Sequence, residues 1–354
     1  SNLKLLTVLA SIKSGDSINS LKYKFVSDTL HISPTGYPLL EHPLYADQEL
    51  TNLLSSANVI VYHNSPNQIE KYGPAWAWDD IIEDFSPERN SFPVYGNVIM
   101  VTKSENGKLK VKPDIFDINI DSTFNQSHIR KENKNFFTIN PLKIKSHDTI
   151  FIPYIVSDQT TNSLIKHITE KEVITESSEI INSKKLYSKI PEKIYQGILK
   201  KSDNLISESL LANVGYIYTD TISVDNGIDK TLENLSQEIQ NGVEWFDGSG
   251  LSRYNMVKPK AIIYILNEIY NYWGLERIKE NFPNNYIIED KEDFVWGKTG
   301  TLKNNHNYSG FIRNKKGKYY IFSIMINHFT SELADVEKSI ADFLVYLNQN
   351  GRIK

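Results

Sequence analysis

The spacing of apolar residues changes period repeatedly along this 354-residue chain, and the order of those changes restricts its fold more than any other feature. Leu5, Leu6, Val8, Leu9 and Ile12 recur at helical spacing, which predicts a helix over residues 1–20 with Gly15 as its stop. From residue 22 short apolar or alternating runs take over: Tyr23 to Ile32, Val59 to Tyr62, Val98 to Val101, Leu109 to Val111 and Thr149 to Val156. Asn106-Gly107 lies between two of these and predicts a hairpin, because both residues tolerate the left-handed backbone of a tight turn. Ser163 to Ile168 reads as a short helix, and Val173-Ile174 as more strand.

Helical spacing returns at Pro191, a favourable first-turn residue. Ile194, Ile198, Leu199, Leu205, Leu210 and Leu211 supply its buried faces, ending near Gly215. Further helices are expected at 228–240 and, opened by Pro259, at 259–273. Phe294 to Lys298, Tyr308 to Arg313 and Lys318 to Ile326 alternate as antiparallel strands, with a turn at Asn314 to Gly317. Val336, Ile340, Phe343, Leu344 and Leu347 make a closing amphipathic helix. Helices on both sides of a terminal antiparallel sheet predict an α+β domain, formed by residues 1–21 and 186–354. A β-rich insert of one or two subdomains, residues 22–185, splits it.

Composition removes several classes of function. The net charge of −4 builds no basic stripe, so no nucleic-acid partner is expected. The basic runs Lys108 to Lys112 and Lys315 to Lys318 read as solvated faces of hairpins. Cysteine is absent, which excludes disulfides and thiolate chemistry. The eight histidines form no His-Glu-x-x-His pattern. No metal and no cofactor are called for. No apolar stretch approaches membrane-spanning length, and the chain opens directly on a helix without a signal segment.

Three short motifs carry chemistry. In Ser1-Asn2-Leu3-Lys4 the two end residues share one helix face, so Lys4 can take the proton that makes the Ser1 hydroxyl a nucleophile. That requires Lys4 to be held neutral by burial or by another cation, for which Lys298 is the candidate. The same pattern recurs at Ser163 to Lys166. Ser202-Asp203-Asn204 is the second motif; its spacing also occurs at Ser17/Asn19, Ser56/Asn58 and Ser65/Asn67. It reads either as a helix cap or as a relay, with Ser202 passing a proton to a leaving amine and Asn204 holding a substrate amide. The third, Lys298-Thr299-Gly300, offers a cation, a hydroxyl for a carboxylate and a glycine that lets substrate approach. The N–H groups of Thr301 and Ser1 would form an oxyanion hole. The order Ser-x-x-Lys, Ser-Asp-Asn, Lys-Thr-Gly is that of serine acyltransferases that act on D-alanyl peptides and are acylated by β-lactams.

With those residues in view, the sequence resembles the class C low-molecular-mass penicillin-binding proteins, the D-alanyl-D-alanine carboxypeptidase/endopeptidases. The resemblance rests on Ser1 to Thr7, Gly73-Pro74-Ala75-Trp76-Ala77-Trp78-Asp79-Asp80, Ser202 to Glu208, Asp247 to Asn255, Lys298 to Leu302, and Gly310. It decides for Ser1 over Ser163. It implies a serine β-lactamase/transpeptidase-like domain with a large insert, and peptidoglycan stem peptides or cross-links as substrates. It also implies β-lactams as acylating inhibitors and an extracytoplasmic location in the periplasm or cell envelope. Ser1 is implied as nucleophile, Lys4 as base, Ser202 and Lys298 as the path of the proton, and Thr299 as the holder of the substrate carboxylate. Asp247 to Ser252 is expected to support the site from beneath. Trp76, Trp78, Asp79 and Asp80 are expected to be core and surface of the insert. The family carries strands before its nucleophile helix, so an N-terminal part is expected to be missing. A serine β-lactamase is disfavoured because no Glu-x-x-Leu-Asn follows Asn204. A silent peptidoglycan-binding scaffold is disfavoured because every polar member of the three motifs is present.

Overall fold

Every side chain from Lys4 to Ile12 is buried, so the first helix, α1 (Lys4–Lys13), is the axle of the molecule rather than an amphipathic cover. Its polar members reach partners: Thr7 Oγ1 donates to the Gly248 carbonyl (2.7 Å), and Ser11 Oγ lies 3.0 Å from the Tyr195 hydroxyl. The structure, a computed structural model, describes residues 1–64, 69–290 and 292–351; Ser65 and Asn67 therefore lie outside the described residues. The expected extent of α1 to residue 20 is too long. Gly15 turns the chain at φ +110°, a backbone region open to glycine, and the next strand begins at Asn19.

The run from Tyr23 to Ile32 is two strands, β1 (Asn19–Val26) and β2 (Thr29–Ser33), paired through a tight turn with Ser27 at φ +52°. No glycine marks that turn, which is why the pattern read as one run. Next come α2 (Gln48–Ser55) and β3 (Val59–His63). Sequence reasoning missed α2, although Asp47 caps it by accepting the N–H groups of Glu49 and Leu50.

The Asn106-Gly107 hairpin is present, joining β4 (Val98–Lys103) to β5 (Leu109–Lys112) with Lys103 opposite Leu109. Three short strands went unrecognised: β6 (Asp117–Ile120), β7 (His128–Arg130) and β8 (Phe136–Ile139). β9 (Thr149–Pro153) follows and pairs with β4. The short helix expected at Ser163 to Ile168 is the C-terminal half of α3 (Asp158–Thr169), capped by Ser157. β10 (Glu172–Glu176) and β11 (Lys184–Tyr187) complete a mixed sheet ordered β10-β3-β2-β1-β11. Its parallel pairs, β2/β3 and β3/β10, need crossovers, and α2 lies in the chain between the first of these. Residues 22–185 are therefore richer in helix than the strand pattern suggests.

α4 (Pro191–Leu199) begins at Pro191 as expected. α5 (Asn204–Thr219) runs past Gly215, its expected end. A Cβ at Gly215 would lie 2.1 Å from the Ser223 carbonyl, so this glycine lets α6 (Val224–Glu233) pack against α5. The helix expected at 228–240 is split, since one turn, α7 (Gln237–Gln240), stands apart. Two two-residue strands, β12 (Val243–Glu244) and β13 (Met256–Val257), bracket a loop that reaches the site. α8 (Pro259–Asn281) is interrupted at Gly274, where its straight segment was expected to end.

The terminal strands β14 (Val295–Leu302), β15 (Asn305–Arg313) and β16 (Tyr319–Asn327) form an antiparallel sheet in that order, and α9 (Leu333–Asn350) closes the chain. Alternation along β14 and β15 sends Trp296 and Phe311 into the core shared with α1 and α8. Val295, Tyr308 and Ile312 go to the opposite face, packed with Val336, Ile340 and Leu344 of α9. The expected α+β arrangement, a terminal sheet between helices, is observed.

Candidate active site

Two helix N-termini and one edge strand converge on Ser1. α1 presents Ser1 and Lys4, α5 begins at the Ser202-Asp203-Asn204 turn, and β14 is the edge strand of its three-stranded sheet with Lys298 buried. Unpaired N–H groups and the helix dipoles make such a junction favourable to developing negative charge. Lys4 Nζ lies 3.2 Å from Ser1 Oγ, which lies 3.3 Å from Ser202 Oγ. Ser202 Oγ in turn accepts from Lys298 Nζ at 3.0 Å. The four polar atoms form one continuous chain.

Lys4 is fully buried, with contacts to Asn204 Oδ1 (2.5 Å) and the Ser249 carbonyl (2.6 Å) besides Ser1. A neutral lysine has two N–H donors and one lone pair. With both donors engaged by these close, fixed acceptors, the lone pair is left for the Ser1 hydroxyl. Burial pushes the Lys4 pKa down to about 8, against the opposing pull of Asp247, Glu208 and Asp203. Burial or a neighbouring cation was expected to hold Lys4 neutral, and burial is the largest influence that lowers its pKa. Lys298, the candidate cation, aims Nζ at Ser202 Oγ and the Thr299 carbonyl (2.7 Å). Its own pKa is held well below the usual lysine range by burial and then by Lys4.

The cap reading of Ser202-Asp203-Asn204 is observed at Asp203, while Ser202 and Asn204 turn toward Ser1, Lys4 and Lys298. Asp203 is the N-cap, accepting the Ile206 N–H at 2.8 Å. Asn204 turns its oxygen to Lys4 and donates its Nδ2 to the Phe85 carbonyl at 2.7 Å. Ser202 has φ +58°, a left-handed conformation costly for a residue with a Cβ and retained only where neighbours over-determine it. The other serine pair behaves differently. Ser163 and Lys166 are both exposed on α3, and Ser163 Oγ bonds back to the Gln159 carbonyl.

On β14, a Cβ at Gly300 would lie 2.8 Å from Asn2 N and 3.2 Å from Ser1 Cβ, so only glycine permits this approach. Thr299 is half-buried, while Thr301 is exposed with Oγ1 2.8 Å from His306 Nδ1. Gly310 sits opposite Gly297, where a Cβ would strike the Trp296 carbonyl at 2.2 Å. Asn2 fixes α1 to the sheet by donating to Ser309 Oγ (2.9 Å).

Beneath the site, Asp247 is buried and accepts the N–H groups of Gly250 (2.8 Å) and Ser252 (2.6 Å) and the Asn255 amide (2.7 Å). This turn delivers the Ser249 carbonyl to Lys4, so the expected supporting role touches the lysine directly. Trp76 departs from its expected place in the insert core: its Nε1 donates to Asp247 Oδ2 at 2.9 Å. Trp78 is 84% exposed, and Asp80 faces Arg253 at 3.6 Å. Sequence reasoning missed the buried pair Arg89–Glu208 (3.0 Å). Glu208 Oε1 accepts the Ser249 N–H at 2.7 Å, so residues 22–185 brace the loop that holds Lys4. Burial raises the Glu208 pKa, helped by Asp247 and opposed by Arg89. Glu208 lies inside a quoted motif, and its burial on a helix full of apolar residues was the available signal. A cleft of about 490 Å³ runs along the turn from Lys201 to Leu205, walled by Phe85, Val98, Met100 and Phe151.

Known proteins resemble the chain in sequence and in fold. The chain is 29% identical over 168 residues to D-alanyl-D-alanine carboxypeptidase DacB of Haemophilus influenzae, a stretch that is 42% of this chain and 34% of that protein. The match thus spans about a third of the curated relative's length. The crystal structure of penicillin binding protein 4 from Haemophilus influenzae superposes with a TM-score of 0.74 at 20% identity, covering 99% of this chain and 90% of that one. A predatory peptidoglycan endopeptidase from Bdellovibrio bacteriovorus gives 0.52 at 13% identity, covering 99% and 86%. These likenesses establish the fold, an α+β penicillin-binding-protein domain with an additional β-containing region. The model of the D-Ala-D-Ala carboxypeptidase 3 (S13) family matches residues 58–347, most of the chain, and the protein belongs to that family.

Proposed function

We propose that the protein is a serine D-alanyl-D-alanine carboxypeptidase/endopeptidase that hydrolyses peptidoglycan stem peptides or cross-links through an acyl-enzyme. The observation that carries this is the unbroken chain Lys4 Nζ, Ser1 Oγ, Ser202 Oγ, Lys298 Nζ. Neutral Lys4 takes the Ser1 proton as Oγ attacks the penultimate D-alanyl carbonyl. The oxyanion that forms is met by the N–H groups of Thr301 and Ser1, at the start of α1. Collapse breaks the C–N bond, and the proton passes by way of Ser202 and Lys298 to the departing amine. Water then attacks the ester, its proton returns through Lys4, and Ser1 is restored. Asn204 holds the substrate amide, Thr299 the terminal carboxylate, and Gly300 leaves room for the peptide backbone.

A β-lactam presents the same carbonyl in a ring whose amine cannot depart, so penicillins would arrest the enzyme at the ester. Residues 1–21 and 186–354 form the acyl-transfer domain in this reading, and 22–185 the insert that walls and braces the site. Its substrate places it outside the cytoplasm, in the periplasm or cell envelope. The test is release of D-alanine from a peptide ending in D-Ala-D-Ala. Release by the wild-type chain that is lost in Ser1→Ala supports the reading. No release from either peptide or cross-linked muropeptide by folded protein would leave a binding scaffold.

A further inference from the structure

His42 belongs to none of the motifs, yet its ring is fixed on every side the structure describes. It lies in the loop between β2 and α2 and is 5% exposed. The Leu44 N–H donates to Nδ1 at 3.2 Å, which assigns the ring proton to Nε2 in the neutral tautomer. The Tyr45 ring stacks on it, with centroids 5.6 Å apart and planes at 29°. Gly96 also packs against it: a Cβ there would lie 3.2 Å from Cδ2 and 3.3 Å from Nε2. Tyr95, Gly96 and Asn97 are all left-handed, and Asn97 locks that loop through the Glu88 carbonyl, the Asn90 side chain and the Val94 N–H. The imidazole therefore sits in a rigid seat that leaves Nε2 facing Asp203 Oδ2 at 3.4 Å.

Asp203 spends its other oxygen, Oδ1, on the Ile206 N–H. Its own N–H donates to the Gly197 carbonyl at 3.0 Å. Asp203 is thus held at three points, and it stands between strained Ser202 and Asn204, both of which touch the reacting groups. A left-handed serine relaxes unless its neighbours forbid it. We propose that His42 is a positioning residue for acyl transfer, fixing through Asp203 the turn that sets the Ser202 hydroxyl between Ser1 and Lys298. Consistent with this coupling, the Asp203 pKa is lowered although burial, the largest influence, pushes it up; contact with His42 heads the opposing causes.

The inference rests on the proposed acyl-transfer reading, and its test keeps the two separable. Acylation by benzylpenicillin, resolved into half-saturating concentration and limiting rate, is measured alongside hydrogen exchange at the Ile206 amide. Four variants are compared with wild type: His42→Ala, His42→Gln, Asp203→Asn and His42→Ala/Asp203→Asn. In His42→Ala the limiting rate falls on the order of tenfold and Ile206 exchange quickens by a similar factor, the size of a lost helix cap. The half-saturating concentration is unchanged, and amides from Leu210 to Val214 keep their protection. His42→Gln recovers part of both effects, since its amide N–H can still reach Asp203. The double variant is no slower than Asp203→Asn alone. Wild-type rate and wild-type Ile206 exchange in His42→Ala would overturn the inference, as would additive effects in the double variant. If the wild-type chain is not acylated at all, the functional reading fails, and the Ile206 exchange alone decides for or against His42.

Discussion

Ser1-Asn2-Leu3-Lys4 and Ser163-Leu164-Ile165-Lys166 are the same pattern on two helices, and the molecule treats them in opposite ways. On α3 both polar side chains face water, and the serine satisfies itself on its own helix. On α1 the lysine is fully buried, its two shortest contacts are to fixed oxygens, and its pKa is down to about 8. The helix supplies only proximity. Burial supplies the base, and the oxygens of Asn204 and Ser249 supply its orientation. In the proposed mechanism, a four-residue motif becomes a catalytic pair only where the rest of the fold withholds water from it.

The largest separation of the two pairs should come from their lysines. Lys4→Met is expected to slow acylation by benzylpenicillin roughly a thousandfold, the typical contribution of a positioned general base. Lys166→Met should leave it unchanged. Stopped-flow or quenched acylation kinetics read both, with circular dichroism to confirm folding.

The pH profile should separate them next. With a pKa of about 8, about a tenth of Lys4 is the neutral base at pH 7. Acylation should therefore rise about tenfold from pH 7 and level off above the Lys4 pKa. An exposed lysine would titrate nearer its ordinary value. Among charges, Asp247 is the strongest that raises the Lys4 pKa. Asp247→Asn should move the rising limb to lower pH and lower the melting temperature, because several N–H groups lose a charged acceptor. A limb that stays in place would assign it to another group.

The smallest expected effect concerns the brace. Trp76→Phe removes one hydrogen bond to Asp247 and should cost about 1 kcal/mol in urea unfolding, with little change in acylation rate. A large loss of rate with intact stability would mean that Trp76 touches substrate.

Much of the candidate site was legible in the chain because its motif residues sit on regular elements. Helical spacing places Ser1 beside Lys4, and alternation puts Lys298 on a strand. Other features have no local signature. Lys4 is oriented by a main-chain carbonyl at Ser249, and carbonyls carry no sequence identity. The strain at Ser202 and the Arg89–Glu208 pair join residues far apart in sequence. The strands β6, β7 and β8 are three or four residues long, so period-two alternation is too brief to register. α2 was readable from Asp47 with Leu50 and Leu54, and was overlooked because the surrounding runs were extended. Gly215 shows the reverse error: a helix passed through it because a neighbouring helix needed the space.

The most direct measurement is intact-protein mass after incubation with benzylpenicillin, made on wild type, Ser1→Ala and Ser163→Ala. A single penicilloyl adduct on wild type and on Ser163→Ala, absent from Ser1→Ala, is the expected result. An adduct that survives in Ser1→Ala, or folded wild-type protein that gains none, would contradict Ser1 as the nucleophile.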